Sequence, residues 1–90
     1  MVLFGCATDR PSLDYVLARE AINAAKEVEA AKYAPAYFHK AEESYRAGER
    51  NFRDHSYSDA IEEFKAARNY SEKAENVSRV LRQKAGDEGI

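Results

Sequence analysis

The sequence has few of the residues that interrupt or cross-link a polypeptide chain. Its 90 residues include one Cys, two Pro, four Gly and no Trp. A single Cys excludes an internal disulfide framework and a Cys-based zinc site, and two separated His, His39 and His55, leave little for a His-based one. Because Gly and Pro are scarce while Ala, Glu, Lys and Arg are abundant, the composition favours helix.

The sequence also lacks an excess of charge of one sign. It has 14 Lys and Arg against 16 Asp and Glu, which gives a formal charge of −2. A chain balanced in this way has no global field that attracts nucleic acid or anionic lipid. We therefore expect no nucleic-acid partner.

Large aliphatic residues are scarce as well. Hydrophobic residues make up 44% of the chain, but 16 of them are Ala and 6 are Tyr, while Val, Leu and Ile together number 12. A chain of this length forms one small domain, which buries only about 60% of the surface of its unfolded state. The sequence predicts a thin core in which helix backbones approach closely.

The spacing of apolar residues predicts an all-α fold with three helices, at about residues 12–32, 35–54 and 56–84. Ser12 is a candidate N-cap, Pro35 suits the first position of a helix, and the polar residues 53–56 form the second break. Short connections make neighbouring helices antiparallel, so we expect a three-helix up-down-up bundle over residues 12–86. Gly86 is a candidate helix stop, and residues 87–90 are expected to form a disordered tail.

Each predicted helix has an expected inner face at spacings of three and four residues. These faces comprise Leu13, Val16, Leu17, Ala21, Ala24 and Val28 on the first helix, Phe38, Ala41, Tyr45, Gly48 and Phe52 on the second, and Ala60, Phe64, Ala67, Ser71, Ala74, Ser78 and Leu81 on the third. At about 1.5 Å per residue, the third helix outreaches the others by about two turns. Val77, Val80 and Leu81 lie in that projecting part and, with Tyr70, are the predicted partner-binding residues.

The middle of the chain carries a helix-packing pattern. Small and aromatic residues recur there at fixed offsets, at Ala41, Gly48, Tyr57, Ala60, Phe64 and Ala67. The pattern resembles the tetratricopeptide helix-turn-helix, in which the Gly permits close packing of the two helices. Stacked arrays of that family need about three or more repeats, and only one is present. The resemblance therefore implies a single hairpin closed by the first helix, with Gly48, Ala60, Phe64 and Ala67 as helix-packing residues.

The N-terminal residues 1–11 contain the sequence Leu3-Phe4-Gly5-Cys6. It resembles a bacterial lipobox, in which the Cys becomes the lipidated mature N-terminus, and residues 7–11 would be a spacer. Together with Tyr33-Ala34-Pro35 and the later Tyr57, Ala60, Ala67 and Ala74, it resembles the small Ala-rich envelope lipoproteins grouped as domain of unknown function 4398. The resemblance implies a periplasmic, membrane-anchored lipoprotein with Cys6 as its lipidation site. Because only five residues precede Cys6, fewer than a secretory signal requires, two alternatives stay open: a start further upstream, or a cytoplasmic protein with an ordinary thiol.

The sequence contains no motif that indicates catalysis. It has no phosphate-binding Gly loop, no Gly-x-Ser-x-Gly elbow and no nucleophile with an assignable base. His39 and Glu43 lie four residues apart, close enough to share a metal, but no third ligand of matching type is near them. We expect no catalytic residue, no metal and no cofactor.

The leading hypothesis is a non-enzymatic helical interaction or spacer module of the bacterial cell envelope. A lipid on Cys6 would be its only attachment to the membrane, and its partner would be another envelope protein or a second copy of the chain. The alternative is a cytoplasmic tetratricopeptide-like adaptor for protein-protein interaction. A metal site at His39 and Glu43 is the third hypothesis.

Overall fold

The structure, a computed structural model, describes residues 12–88. Four helices follow one another in this range, α1 (Ser12–Glu27), α2 (Ala30–Tyr33), α3 (Pro35–Arg53) and α4 (Tyr57–Glu88). Residues 12–88 contain no β-strand. The predicted all-α class is therefore confirmed, with four helices in place of the three expected.

The fourth helix arises because the predicted first helix is divided at Val28 and Glu29. Glu29 adopts a left-handed conformation with φ of 60°, which ends α1 and starts α2. The division turns the chain so that Val28 and Ala30 are both buried. Nothing local in the sequence indicates it, because Glu is a good helix former. The prediction of one helix over residues 12–32 was wrong at this point.

The start of α3 has the geometry expected for a residue before proline. Ala34 lies outside the helical region, with φ of −140° and ψ of 58°, and Pro35 is the first residue of α3. The ring of Pro35 disfavours a helical conformation at Ala34, while its fixed φ suits the first helical position. The corner predicted from these two residues is confirmed.

The turn between α3 and α4 ends α3 with a Schellman motif. The Ser56 N–H donates to the Asn51 carbonyl at 2.8 Å, and the His55 N–H donates to the Phe52 carbonyl at 3.1 Å. These bonds satisfy carbonyls that a helix end leaves without partners. The motif needs a left-handed residue, and His55 supplies it with φ of 63°. The break predicted at residues 53–56 is confirmed.

The last helix continues beyond its predicted end. α4 runs to Glu88, two residues past Gly86, so Gly86 is not a helix stop. Gly86 does not have a positive φ, and a Cβ added to it would meet nothing within 4 Å. The first two residues of the predicted tail, 87 and 88, are therefore helical.

α4 contacts each of the other three helices. Its buried face consists of Ala60, Phe64, Ala67, Ser71, Ala74 and Ser78. Six of the seven predicted inner positions are therefore correct, and the exception is the exposed Leu81. Because most of these side chains are small, the neighbouring helices can lie close to α4.

The predicted inner face of the first helix was wrong at Leu13 and Val16, while Val28 is buried as predicted and Leu17, Ala21 and Ala24 are half-buried. Leu13 and Val16 are exposed, and the buried residues of α1 are Ala18, Ile22 and Ala25. Larger side chains at the contact with α4 would hold the two backbones apart, so Ala occupies it and the bulkier residues lie outside. Phe52, predicted as core, is 47% exposed because it lies in the last turn of α3.

Candidate functional site

The closest contact between α3 and α4 is built on Gly48. A Cβ added to Gly48 would lie 2.6 to 2.9 Å from three ring atoms of Phe64, so only Gly fits there without a shift of the ring. Phe64 is buried in one cluster with Ala18, Ala60 and Ala67. The structure thus brings the four predicted helix-packing residues to one place, where they hold α3 against α4.

Three aromatic rings meet beside this contact. Tyr15 stacks on Tyr45 with ring centroids 5.6 Å apart, and Phe64 lies 5.5 Å from Tyr15 and 5.7 Å from Tyr45. Burial raises the pKa of the Tyr45 hydroxyl, and the neighbouring Tyr15 adds to that increase. The cluster therefore favours the neutral phenol and joins all three long helices.

Sequence reasoning missed Tyr15 as a core residue, although a signal was present. Tyr15, Ala18, Ile22 and Ala25 recur at spacings of three, four and three, the same alternation that identified the inner face of α4. Because Leu13 and Val16 are large and hydrophobic, the prediction placed them in the core and so selected the adjacent face of the helix.

The predicted partner-binding residues lie at one end of the molecule, which we call the Pro35 end (residues 28–37 and 76–82). Val77, Val80 and Leu81 are exposed there and, with Asn76, line a shallow groove of about 310 Å³. Beside them Arg82 reaches the junction of α1 and α2, where its Nη1 donates to the Glu27 carbonyl at 3.4 Å. Its Nε also lies 3.6 Å from Oε1 of Glu29.

Tyr70 does not belong to this groove. It is half-buried and packs against the cluster that includes Phe38, Ala41 and Ala74. The Lys40 Nζ lies 5.6 Å from the centre of its ring. The structure therefore brings Val77, Val80 and Leu81 together and leaves Tyr70 about two turns away along α4.

The opposite end, which we call the Ser12 end (residues 12–16 and 52–57), has its own apolar surface. A groove of about 360 Å³ opens there, lined by Ser12, Tyr15, Glu49, Phe52, Arg53 and Phe64. The Phe52 ring lies 5.5 Å from that of Tyr57, and both residues are exposed, as is Leu13. Sequence reasoning missed this surface because it placed Leu13 and Phe52 in the core.

The remaining candidate residues do not form a site. The His39 Nδ1 lies 3.9 Å from Oε1 of Glu42, an ion-pair geometry on an exposed helix face. Among residues 12–88, no three His, Cys, Asp or Glu side chains are grouped so that they could hold a metal. Cys6 lies outside the described residues. No helix within the described range has the length and apolar character to cross a membrane.

The chain was compared with known families, curated proteins and solved structures. The model of the family described as Domain of unknown function (DUF4398) matches residues 14–89 of the chain. No curated protein and no solved structure matches it.

Proposed function

Because this chain belongs to the DUF4398 family, whose description assigns no molecular role, we propose its function from the positions of its surfaces. We propose that it is a non-enzymatic helical spacer and interaction module of the bacterial cell envelope. A lipid on Cys6 anchors it, and the groove of Val77, Val80 and Leu81 binds a partner.

The observation that supports the proposal is that the groove lies at the Pro35 end, far along α4 from the Ser12 end. Cys6 precedes Ser12 by six positions, so a lipid on Cys6 would hold the Ser12 end within about 20 Å of the attachment point. The groove lies at the Pro35 end, within residues 76–81 of α4. The groove begins 19 residues after Tyr57, the first residue of α4, which at about 1.5 Å per residue places it about 30 Å along the helix from the Ser12 end. A lipid at one end would thus leave the groove well clear of the bilayer.

The proposal includes an up-down-up arrangement of the three long helices. Gly48 lies against Phe64, and Phe38 shares a cluster with Ala74, which supports opposite directions for α3 and α4. Tyr15 contacts Phe64 and Glu29 contacts Arg82, which supports a common direction for α1 and α4. On this proposal α3 and α4 form the tetratricopeptide-like hairpin, and α1 closes it.

The anchor is tested by metabolic labelling. The gene, with its natural upstream region, is expressed in a diderm bacterium that is fed a palmitate analogue. The protein should be labelled and should fractionate with membranes, while Cys6→Ala should abolish both results. Thr8→Ala, a change in the same segment, is the matched control and should be labelled like the natural protein.

Absence of labelling would favour the alternative function, a cytoplasmic adaptor. A natural protein that is unlabelled and absent from the membrane fraction excludes the envelope module. It would favour the cytoplasmic tetratricopeptide-like adaptor, for which the close Gly48–Phe64 contact is the supporting observation.

A further inference from the structure

Large apolar side chains are exposed together at the Ser12 end. Leu13, Phe52 and Tyr57 are all exposed there, and three of the six residues that line the groove beside them are aromatic, Tyr15, Phe52 and Phe64. Phe52 and Tyr57 also contact each other across the α3–α4 turn, which keeps the two rings in one patch. Exposed patches of this kind mark contact surfaces.

The short stretch between Cys6 and Ser12 limits how far the Ser12 end can lie from a lipid on Cys6. The described chain begins at Ser12, which itself lines the groove. Ser12 follows Cys6 by six positions, and even a fully extended chain spans only about 20 Å over that stretch. If Cys6 is held in a bilayer, the Ser12 end therefore stays within about 20 Å of the lipid surface, whatever path the intervening residues take.

We propose that the Ser12 end rests on the bilayer, with Leu13, Phe52 and Tyr57 entering the headgroup region. This inference depends on the proposed anchor, which supplies the proximity. The rings of Phe and Tyr suit that region, where a Tyr hydroxyl can remain in water while its ring is buried. Because the anchor keeps the domain close to the bilayer, its effective concentration there is high, and even a weak contact between the Ser12 end and lipid forms for much of the time.

Charge contributes little to this contact. The acidic residues Asp14 and Asp54, together with Glu49 in the groove, share the region with Arg53, so the surface carries both signs and has no basic cluster. Attraction to anionic lipids requires such a cluster. The contact should therefore form on zwitterionic phosphatidylcholine and should not weaken at high salt.

The experiment uses chemical attachment so that it does not depend on lipidation in the cell. The full chain is coupled through the Cys6 thiol to a maleimide lipid in phosphatidylcholine vesicles. The natural chain has no Trp, so Tyr57→Trp introduces a single fluorophore at the Ser12 end. Tyr37→Trp is the matched control, because Tyr37 lies at the Pro35 end and is 39% exposed against 41% for Tyr57.

On coupling, the indole emission of the Tyr57→Trp variant should shift to the blue and be quenched by brominated phosphatidylcholine, as expected for a ring about 5 to 10 Å deep in the interface. The emission of the Tyr37→Trp variant should stay as it is in solution. The additional changes Leu13→Ser and Phe52→Ser should reduce the quenching in the Tyr57→Trp background, and circular dichroism checks that each variant is folded.

Two results overturn the inference. In the first, the coupled Tyr57→Trp variant emits as it does in solution. In the second, the Tyr37→Trp variant is quenched as strongly as the Tyr57→Trp variant, which would mean that the domain lies flat on the bilayer. Palmitate labelling tests the anchor separately. If the natural protein is labelled but the indole at position 57 stays in water, the bilayer contact alone is refuted. If the natural protein is unlabelled but the coupled variant is quenched, the anchor alone is refuted.

Discussion

Gly48 and Phe64 are in such close contact that a methyl group on Gly48 would lie 2.6 Å from Cε1 of the Phe64 ring. The ring cannot easily move away, because Tyr15 and Tyr45 pack against it and its side chain is fully buried. The contact therefore allows α3 and α4 to approach closely at Gly48.

Gly48→Ala should cost roughly 1 to 3 kcal/mol of overpacking. The better helix propensity of Ala offsets about 1 kcal/mol of this cost, so that the protein is destabilised by up to about 2 kcal/mol. Urea unfolding measures the difference. A second change, Phe64→Leu, removes the ring and should make Gly48→Ala less harmful in the double variant than alone. Equal effects of Gly48→Ala in both backgrounds would show that the ring is not the obstacle.

His55→Gly should stabilise the protein by about 1 kcal/mol, because His55 is held at a φ of 63° that costs a residue with a Cβ roughly that amount. His55→Ala is the matched control. Both variants lose the contact between the rings of His55 and Tyr57, but Ala keeps the Cβ and should show no gain. Thermal melts compare the Tm of the two variants. An equal Tm would contradict the left-handed conformation of His55.

The features that were predictable from the sequence depend on local chemistry. Pro35 restricts Ala34 through covalent geometry, so the corner before α3 could be placed to the residue. The buried face of α4 could be predicted because its spacing continues over several turns.

The exposure of Val77, Val80 and Leu81 was predicted from helix lengths, but the reason was wrong. Ser78 is buried between them and Arg82 contacts Glu27 and Glu29, so these residues lie beside α1 and α2 on an outward face of α4 and do not project beyond them.

The missed features depend on contacts between distant residues. The division at Glu29 has no Gly or Pro to mark it, and it is accompanied by burial of Ala30 and by the ion pair with Arg82. The face of α1 was misplaced because a prediction weighted by hydrophobicity prefers Leu13 to Ala18. In this fold close approach selects small residues, so the surface at the Ser12 end could be recognised only from the structure.

Ser78→Ala should raise the free energy of unfolding by about 1 kcal/mol or more, since a buried polar group without a partner costs about 1 to 3 kcal/mol. The Ser78 Oγ is buried and has no hydrogen-bond partner among the described residues. Ser71 provides the comparison, because its equally buried hydroxyl donates to the Ala67 carbonyl at 2.7 Å. Ser71→Ala should gain less. Guanidinium unfolding measures the free energy of unfolding of both variants. A larger increase for Ser71→Ala than for Ser78→Ala would contradict the prediction.

Replacing Val77 and Leu81 together by Ser should leave the fold nearly unchanged and weaken binding to a partner or to a second copy. Both side chains are already exposed, so the folded state loses little apolar contact. In a complex that buries them fully, each would contribute about 1.5 to 3 kcal/mol, so their loss should weaken association strongly. Leu13→Ser with Val16→Ser is the matched control, because it removes one exposed Leu and one exposed Val from α1. Sedimentation velocity and thermal melts separate the outcomes: a large loss of stability in a strictly monomeric protein would assign Val77 and Leu81 to the core. An equal loss of association in both double variants would show that the groove has no specific role.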